Sequence, residues 1–203
     1  MSDTHKHIFF FRHGETDWNK TKRYQGQTNI PLNENGMAQA KGLAHQLKEH
    51  EIGHFLASDL DRAHHTAKIV AEHHDADIVT HPALREVTFG EGEGLFKAEF
   101  KTKYQHIMDI MDDLEHPEHR HVSVPGGETR QQVIDRVFDY LHDILPNISA
   151  QKIGIATHGA LMTNVYLDVV GHKYHFGNCE ILHLYYDAKN KLFLQSPETL
   201  KNV

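Results

Sequence analysis

The stretch Ile8-Phe9-Phe10-Phe11-Arg12-His13-Gly14 decides the fold, because four apolar residues end abruptly in charged and polar groups. A continuous apolar run of this length is typical of a strand buried on both faces, as the central strands of a parallel α/β sheet are. Arg12 and His13 then follow the carboxyl end of the strand, the edge at which such sheets bind ligands. An arginine fork fits phosphate oxygens, and an imidazole can act as a nucleophile near neutral pH. The stretch therefore predicts a phosphate site with a reactive histidine, the alternative being a surface Arg-His pair.

A second predicted strand ends in the same way. Residues 152–157 hold two isoleucines among small residues and are followed by His158 and Gly159. Two parallel strands would deliver His13 and His158 to one edge of the sheet, which would place both imidazoles at the predicted phosphate site. A histidine packed in the core is the alternative for His158.

Arg12-His13-Gly14-Glu15-Thr16, followed by Trp18-Asn19, resembles the signature of the histidine phosphatase superfamily, which includes the cofactor-dependent phosphoglycerate mutases. Further segments resemble that family, in its order, along nearly the whole chain. These segments are Arg23-Tyr24-Gln25-Gly26, Pro31-Leu32, Ser58-Asp59-Leu60 with Arg62-Ala63, Leu84-Arg85-Glu86, Pro125-Gly126-Gly127-Glu128-Thr129 and Thr157-His158-Gly159.

The resemblance implies catalytic roles for five residues. His13 matches the family's nucleophile and Glu86 its proton donor, while Arg12, Arg62 and His158 match groups that bind the phosphate. In this interpretation a ring nitrogen of His13 attacks phosphorus and forms a covalent phosphohistidine, and Glu86 protonates the leaving oxygen. No metal or other cofactor is implied, because the charged side chains take the part that metal ions play in kinases.

Two of these positions also have structural interpretations. Arg62 falls in the first turn of a predicted helix, where free backbone amides favour an anion, but a surface salt bridge with Asp59 or Asp61 is the alternative. Glu86 is equally suited to capping a helix or pairing with Arg85.

The segment after the first strand supplies most of the predicted substrate-binding groups. Residues 16–30 show no helical or strand period and are predicted to form a long loop, and loops of this length are often functional. The resemblance implies that the substrate contacts this loop and the start of a later helix, the alternative for the loop being plain solvation. The predicted substrate-binding residues are Asn19, Arg23, Gln25, Gly26 and Gly159.

Glu93 departs from the family pattern, which has an aromatic residue, often tryptophan, at this position. An aromatic side chain there would help to wall the pocket. Its absence leaves the substrate preference open and predicts a more solvated entrance.

The remaining pattern predicts an α/β fold: a three-layer sandwich with a mostly parallel central sheet, helices on both faces and a small helical cap. Apolar residues recur at helical spacing after Asn33, Ser58 and Thr129, and Thr129 with Gln132 matches a capping box. We expect one domain, residues 1–203, with a cap segment at about residues 96–125 over the strand ends.

A histidine-rich part of the cap segment, residues 116–121, raises the question of a metal. His116, His119 and His121 lie beside Glu115 and Glu118, but they do not follow a familiar ligand spacing. We therefore predict no metal site and interpret these residues as a polar loop.

Composition argues against several classes of function. The net charge of -7, from 21 lysines and arginines against 28 acidic residues, argues against a broad nucleic-acid-binding face. The single Cys179 excludes an intrachain disulfide framework. No apolar stretch approaches the roughly 18 to 20 residues of a membrane helix, and the amino terminus shows no signal-peptide pattern. We expect a cytoplasmic protein with no nucleic-acid or membrane partner.

We therefore predict a metal-independent phosphomonoester hydrolase that acts on small phosphorylated metabolites through a phosphohistidine. A cofactor-dependent phosphoglycerate mutase is the alternative within the family, and it would need a larger lid to keep water from the phosphoenzyme. A non-catalytic phospho-ligand binding protein is the alternative outside enzymes, although binding alone needs neither Glu86 nor a nucleophilic His13. A homodimer is compatible with the sequence.

Overall fold

The computed structural model describes residues 5–196, in which strands and helices alternate along the chain. Parallel strands need such crossovers, because the chain must return to the same end of the sheet. The elements are β1 (Lys6–Arg12), α1 (Asp17–Lys20), α2 (Glu34–Leu47), β2 (His54–Ala57), α3 (Asp61–Ala71), β3 (Ile78–Thr80), α4 (Lys97–Asp112), α5 (Arg130–Ile144), β4 (Lys152–Thr157), α6 (Gly159–Val170), β5 (Ile181–Asp187) and β6 (Leu192–Gln195).

The strands form one sheet in the order β3-β2-β4-β1-β5-β6. The first four of these are parallel to one another, whereas β5 is antiparallel to both β1 and β6. β1 and β4 are direct neighbours, with Arg12 opposite Thr157 at the carboxyl ends of the two strands. The predicted, mostly parallel sheet is confirmed, and the two histidine-bearing strands are adjacent in it.

Alternate side chains of β1 face two different cores, which explains why its apolar run is continuous. Ile8 and Phe10 lie in a core built with α5 and α6, while Phe9 and Phe11 lie in a second core built with α2 and α3. All four have 0 to 3% of their surface exposed. A central strand covered by helices on both faces needs apolar residues at every position, so the predicted three-layer arrangement is confirmed.

The starts of α2 and α5 follow the predicted capping chemistry, whereas the N-cap of α3 is Leu60, whose side chain makes no capping hydrogen bond. Asn33 Oδ1 accepts from the Gly36 backbone N–H over 2.8 Å, and Thr129 and Gln132 exchange side-chain and backbone hydrogen bonds as a capping box. Within residues 5–196, none of the helices combines the length and the apolar character needed to cross a bilayer.

The prediction of an uninterrupted loop over residues 16–30 is wrong at its start. Residues 17–20 form α1, and Thr16 and Asn19 close a reciprocal capping box around its first turn. A four-residue helix is too short to show a hydrophobic period, so only its capping residues could have indicated it.

The cap segment holds α4 and a 3-10 helix, Pro117–His121. Its apolar side is a small third cluster in which Phe100 and Tyr104 of α4 pack with Val124, Tyr24 and other residues. The rings of Tyr24 and Phe100 are stacked with centroids 3.9 Å apart. These contacts tie α4 to the segment that follows α1.

Candidate active site

The carboxyl ends of β1 and β4 bring two histidines together. The His13 backbone N–H donates to the Thr157 carbonyl oxygen over 3.0 Å and continues the ladder beyond Arg12. The rings of His13 and His158 lie edge to face, with centroids 5.2 Å apart. Both side chains are buried, with 2% and 0% of their surface exposed. The hydrogen-bonded sheet thus fixes the separation of the two imidazoles.

His13 is oriented with one ring nitrogen free to react. Its Nδ1 lies 2.6 Å from the Gly14 carbonyl oxygen, and because a carbonyl only accepts, the proton of the neutral ring belongs on Nδ1. Burial, reinforced by Arg62 and Arg12, holds the pKa of His13 well below its usual range. A neutral imidazole with an unprotonated Nε2 is the form that can attack phosphorus.

Gly14 permits the close packing that holds the backbone beside His13. A Cβ on Gly14 would lie 2.3 Å from the Gly36 carbonyl oxygen in α2, so a side chain here would push α2 away from the end of β1. The Gly14 N–H donates to Thr66 Oγ1 of α3 over 3.1 Å. Two helices therefore clamp the residue that follows the predicted nucleophile.

Arg12 is fixed by the segment between α6 and β5. Its Nη1 donates to the Phe176 carbonyl oxygen over 2.8 Å. Burial lowers the pKa of Arg12, and the nearby Glu86 carboxylate opposes that shift. A Cβ on Gly159 would lie 3.1 Å from Arg12 Nε, so Gly159 leaves the room that this guanidinium occupies.

Arg62 reaches the same region from the first turn of α3. It is fully buried, and it donates to the carbonyl oxygens of Thr28 over 2.8 Å and Gly26 over 2.7 Å. Burial lowers its pKa to about 10, with Glu86 opposing the shift. Arg62 therefore remains a cation at neutral pH, and its two partners carry no charge that would neutralise it.

The surface salt bridge that the sequence left open for Arg62 is wrong. Asp59 instead forms a two-pronged ion pair with Arg85 over 2.6 and 2.7 Å, and Asp61 Oδ2 accepts from Asn29 over 2.9 Å. The Asp59–Arg85 pair also rules out Arg85 as the predicted alternative partner of Glu86.

Glu86 holds the amino-terminal end of α6. Its carboxylate accepts from the backbone N–H groups of Val87 over 2.9 Å, Ala160 over 3.1 Å and Leu161 over 2.9 Å. The capping alternative is therefore correct as a description of these contacts. The same contacts place the carboxylate near both arginines, since Glu86 acts on the pKa of Arg12 and of Arg62.

Four buried nitrogen atoms around this point have no hydrogen-bond partner within residues 5–196. They are Arg12 Nε, Arg62 Nε and both ring nitrogens of His158. Burial and then Arg62 hold the pKa of His158 well below its usual range. Unpartnered buried donors are costly. A tetrahedral oxyanion would accept hydrogen bonds from the Nε–H groups of both arginines and from the one ring N–H that a neutral His158 carries.

The sequence as a whole matches one known family. The histidine phosphatase superfamily (branch 1) matches residues 8–196 of the chain. The chain belongs to this superfamily. The metal-independent phosphoserine phosphatase of Arabidopsis thaliana is 34% identical to it over 168 residues, which cover 80% of this chain and 68% of that protein. A protein of Serratia proteamaculans named "Probable phosphoglycerate mutase GpmB" is 31% identical over 169 residues, which cover 81% and 74%.

The fold agrees with that membership of the histidine phosphatase superfamily. The native structure of mycobacterial glucosyl-3-phosphoglycerate phosphatase superposes with a TM-score of 0.83 at 21% identity and covers 98% of this chain and 100% of that chain. At this identity the likeness concerns the fold alone, and it confirms the predicted α/β architecture.

The predicted substrate-binding residues of this superfamily member all line one cleft of about 540 Å³. Four of the five predicted catalytic residues line it too. The fifth predicted catalytic residue, His158, is not among the described residues that line the cleft. It is fully buried, and its ring packs against the ring of His13. The lining residues from these two predicted sets are Asn19, Arg23, Gln25, Gly26, Gly159, Arg12, His13, Arg62 and Glu86.

The loop residues are held in place rather than merely solvated. Thr16 Oγ1 donates to Gln25 Oε1 over 2.9 Å inside the protein. Asn178, which sequence reasoning did not single out, donates to the His13 carbonyl oxygen over 2.9 Å and to Asn19 Oδ1 over 3.3 Å. Nothing in the sequence around Asn178 signals this contact, because it depends on how the segment before β5 folds over β1.

Glu93 has a different role from the one expected. Glu93 is not among the described residues that line the cleft. Its Oε1 accepts from the N–H groups of Gln27 and Phe89, and its Oε2 accepts from the N–H and hydroxyl of Thr28. The carboxylate organises the loop whose carbonyls hold Arg62. The more solvated entrance expected from the missing aromatic residue stays a prediction.

The histidine-rich part of the cap segment clusters differently from the prediction. His116 Nδ1 and His119 Nδ1 lie 2.7 Å and 3.4 Å from Asp113 Oδ2, and the three side chains offer ligand atoms within 4.8 Å of one another, so they could hold a metal ion. Residues three apart fall on one side of a 3-10 helix, which explains why His119 joins His116. The predicted member His121 and the neighbouring glutamates are not in this cluster of described residues.

Proposed function

We propose that the protein is a phosphomonoester hydrolase that forms a covalent phosphohistidine on His13 and acts on small phosphorylated metabolites. The observation that carries the proposal is the convergence of His13 with nitrogens of Arg12, Arg62 and His158 that have no partner within residues 5–196. A phosphoryl group presents terminal oxygens that accept hydrogen bonds and match arginine forks. Membership of the superfamily supports the same chemistry.

In the first step, Nε2 of His13 donates its lone pair to phosphorus while the ester P–O bond breaks. The electron pair of that bond stays on the ester oxygen, which takes a proton from Glu86 and leaves as the alcohol. Oε1 of Glu86 accepts two backbone hydrogen bonds, and within the described residues Oε2 accepts only from Ala160. Oε2 is therefore the oxygen with room to carry that proton.

In the second step, water attacks phosphorus and the P–N bond breaks. Glu86 takes a proton from the water, and the electron pair of the P–N bond returns to Nε2. The Nδ1–H of His13 keeps its hydrogen bond to the Gly14 carbonyl through both steps, which stabilises the positive charge on the phosphorylated ring. The cycle ends with phosphate and the starting form of the enzyme.

Two guanidinium groups stabilise the charge on the transferring phosphoryl group. The partners of Arg62 and Arg12 are backbone carbonyls, so both side chains are positioned before the substrate arrives and still carry their charge. Stabilisation by groups that need no reorganisation is the main contribution of protein side chains in phosphoryl transfer.

A phosphoglycerate mutase is the second candidate, favoured by the 31% identity to "Probable phosphoglycerate mutase GpmB". A mutase would use the same His13 but return the phosphoryl group to another hydroxyl. Turnover of 3-phosphoglycerate with and without 2,3-bisphosphoglycerate separates the two: a mutase depends on that compound and releases no phosphate, whereas a hydrolase releases phosphate without it.

The His13→Ala variant tests the mechanism. We expect it to fold normally, because the ring lies at the edge of the sheet. It should lose hydrolysis of p-nitrophenyl phosphate together with the acid-labile label that rapid quench with a ³²P-labelled ester gives in the wild type. His65→Ala, an exposed histidine on α3, is the matched control. Turnover or labelling that survives in His13→Ala contradicts the proposal, and a wild type with neither turnover nor a phosphoenzyme would indicate a binding protein.

A further inference from the structure

Two arginines that line the cleft belong neither to the proposed chemistry nor to the predicted substrate-binding residues. Arg120 comes from the 3-10 helix Pro117–His121, and Arg130 is the first residue of α5. Both line the cleft that also holds His13 and Arg62. Sequence reasoning did not find them, because nothing local shows that the cap segment and α5 bring these two side chains to one place.

Arg130 lies in surroundings that oppose its charge. Its Nε is buried and has no hydrogen-bond partner within residues 5–196. Burial and then the positive charge of Arg120 lower the pKa of Arg130, and Asp168 acts in the opposite direction. Arginine stays protonated in proteins despite such a shift. A bound anion would therefore stabilise the charged side chain of Arg130.

Arg120 is only partly neutralised by the same carboxylate. Its Nη2 lies 3.3 Å from Asp168 Oδ1, which is long for a charge-assisted hydrogen bond. Arg120 Nε, like that of Arg130, is buried without a partner among the described residues. Two guanidinium groups thus share one carboxylate, and a net positive charge remains.

The position of Arg130 in α5 adds to this excess. It is the first helical residue, where the helix dipole disfavours a cation. The Thr129–Gln132 capping box occupies one of the backbone donors of this turn, the Gln132 N–H.

The other cations of the cleft are committed or exposed. Lys173 pairs with Asp112, and the guanidinium of Arg23 lies 3.8 Å over the Phe96 ring and donates to the Gly94 carbonyl. Lys97 is exposed to solvent. Among the described cations that line the cleft away from the reaction centre, Arg120 and Arg130 are distinguished by buried Nε atoms that have no partner.

We propose that Arg120 and Arg130 form a subsite for a second anionic group, a carboxylate or a phosphate, on the part of the ester that leaves. The preferred substrate is then a phosphomonoester with a further anionic group, bound at both ends of the cleft. This inference rests on the proposed function of the same cleft and adds the substrate class to it. The planar fork of arginine fits either anion.

The test compares esters that differ only in the second anionic group. The pairs are 3-phosphoglycerate with glycerol 3-phosphate, 6-phosphogluconate with glucitol 6-phosphate, and fructose 1,6-bisphosphate with fructose 6-phosphate, so that both the length and the nature of the anion vary. In the wild type we expect kcat/KM to be about tenfold or more higher for the anionic member of at least one pair.

Arg130→Gln and Arg120→Gln should each reduce this ratio about ten- to a hundredfold, mainly through KM, because each removes charge-assisted hydrogen bonds. Lys101→Gln, an exposed cation on α4 outside the cleft, should leave the ratio unchanged. Arg130→Gln should also keep or raise the melting temperature, since it removes an unfavourable charge. A structural role for Arg130 would instead lower the melting temperature and leave the ratio as it was.

Equal kcat/KM within every pair in the wild type, or an unchanged ratio in both arginine variants, overturns the subsite. A wild type that hydrolyses no ester, p-nitrophenyl phosphate included, overturns the proposed function instead. Calorimetry then tests the subsite without turnover, with 3-phosphoglycerate, 6-phosphogluconate and fructose 1,6-bisphosphate as ligands. At least one of the three should bind the His13→Ala variant at least tenfold more tightly than it binds the His13→Ala/Arg130→Gln variant. No difference for any of the three overturns it.

Discussion

A guanidinium as deeply buried as that of Arg62 needs partners that orient it without cancelling its charge. The carbonyl oxygens of Gly26 and Thr28 do this, since they accept its hydrogen bonds and carry no formal charge. Arg85 shows the opposite arrangement, because Asp59 neutralises it through two short hydrogen bonds. Of these two arginines, Arg62 keeps its charge for a ligand.

Replacing Arg62 by glutamine should therefore impair transition-state stabilisation. We expect kcat/KM for p-nitrophenyl phosphate to fall by the equivalent of about 2 to 4 kcal/mol, which is roughly 30- to 1000-fold. Lys68→Gln, an exposed cation on the same helix, is the control and should retain wild-type kinetics. A loss of less than threefold in Arg62→Gln would show that this side chain does not contact the phosphoryl group.

At this scale the sequence was most informative where function depends on local pattern. His13 and Arg12 follow a buried strand directly, so their place at the sheet edge was predictable from the apolar run alone. The sequence suggested that Glu86 could cap a helix but not that the helix is α6, because residues 86 and 160 meet only when the sheet has formed. The placement of Arg120 and Arg130 in one cleft was hidden for the same reason.

Among the elements, the loop of residues 25–28 depends on Glu93. Four donors converge on its carboxylate, and the same loop supplies the two carbonyls that hold Arg62. Gly26 has a positive φ of 52°, and a Cβ there would lie 1.9 Å from Glu93 Oε1. The loop and the carboxylate are therefore fitted to each other.

Glu93→Gln should weaken this loop. The glutamine amide accepts hydrogen bonds on its oxygen only. Its NH₂ group would therefore lie against two donors that the second carboxylate oxygen of Glu93 now accepts from. We expect the free energy of unfolding to fall by roughly 1.5 to 3 kcal/mol, with a higher KM because Arg62 loses its fixed position. Urea denaturation and steady-state kinetics measure the two effects, with the exposed Glu91→Gln as control. Unchanged values for both would show that the loop is held by other contacts.

The elements of the sheet and its covering helices were predictable because their patterns are long. β1, β4, α2 and α5 each carry apolar residues at the period of their type over several residues. α1 and the 3-10 helix Pro117–His121 are too short for a period and are fixed by capping and by proline at the first turn. The order of the strands, by contrast, follows from packing of the whole chain.

For the whole molecule, the buried histidine pair predicts sensitivity to mild acid. In the folded protein the pKa values of His13 and His158 lie well below the usual value of about 6.5 that applies to the unfolded chain. Between these values the unfolded chain binds more protons, so the free energy of unfolding rises with pH. The contribution of the two histidines to the free energy of unfolding is fully present above about pH 6.5. It is lost as the pH falls toward their pKa values in the folded protein, by at most about 1.4 kcal/mol per pH unit for each histidine.

Urea denaturation between pH 5 and 7.5 measures this dependence. His158→Gln should reduce the slope below pH 6.5, because one of the two titrating groups is gone, whereas the exposed His65→Ala should retain it. An identical slope in wild type and His158→Gln would mean that His158 does not resist protonation in the folded protein.

The adjacency of β1 and β4 also bears on how such an enzyme can be diversified. The imidazoles stand on a hydrogen-bonded ladder and Arg62 on a helix packed against it, whereas Arg120 and Arg130 come from residues 117–130 on another part of the chain. Under the proposed function and subsite, mutant libraries confined to residues 97–130 would sample new esters while keeping the chemical step intact, so selectivity and turnover would be separate traits to engineer.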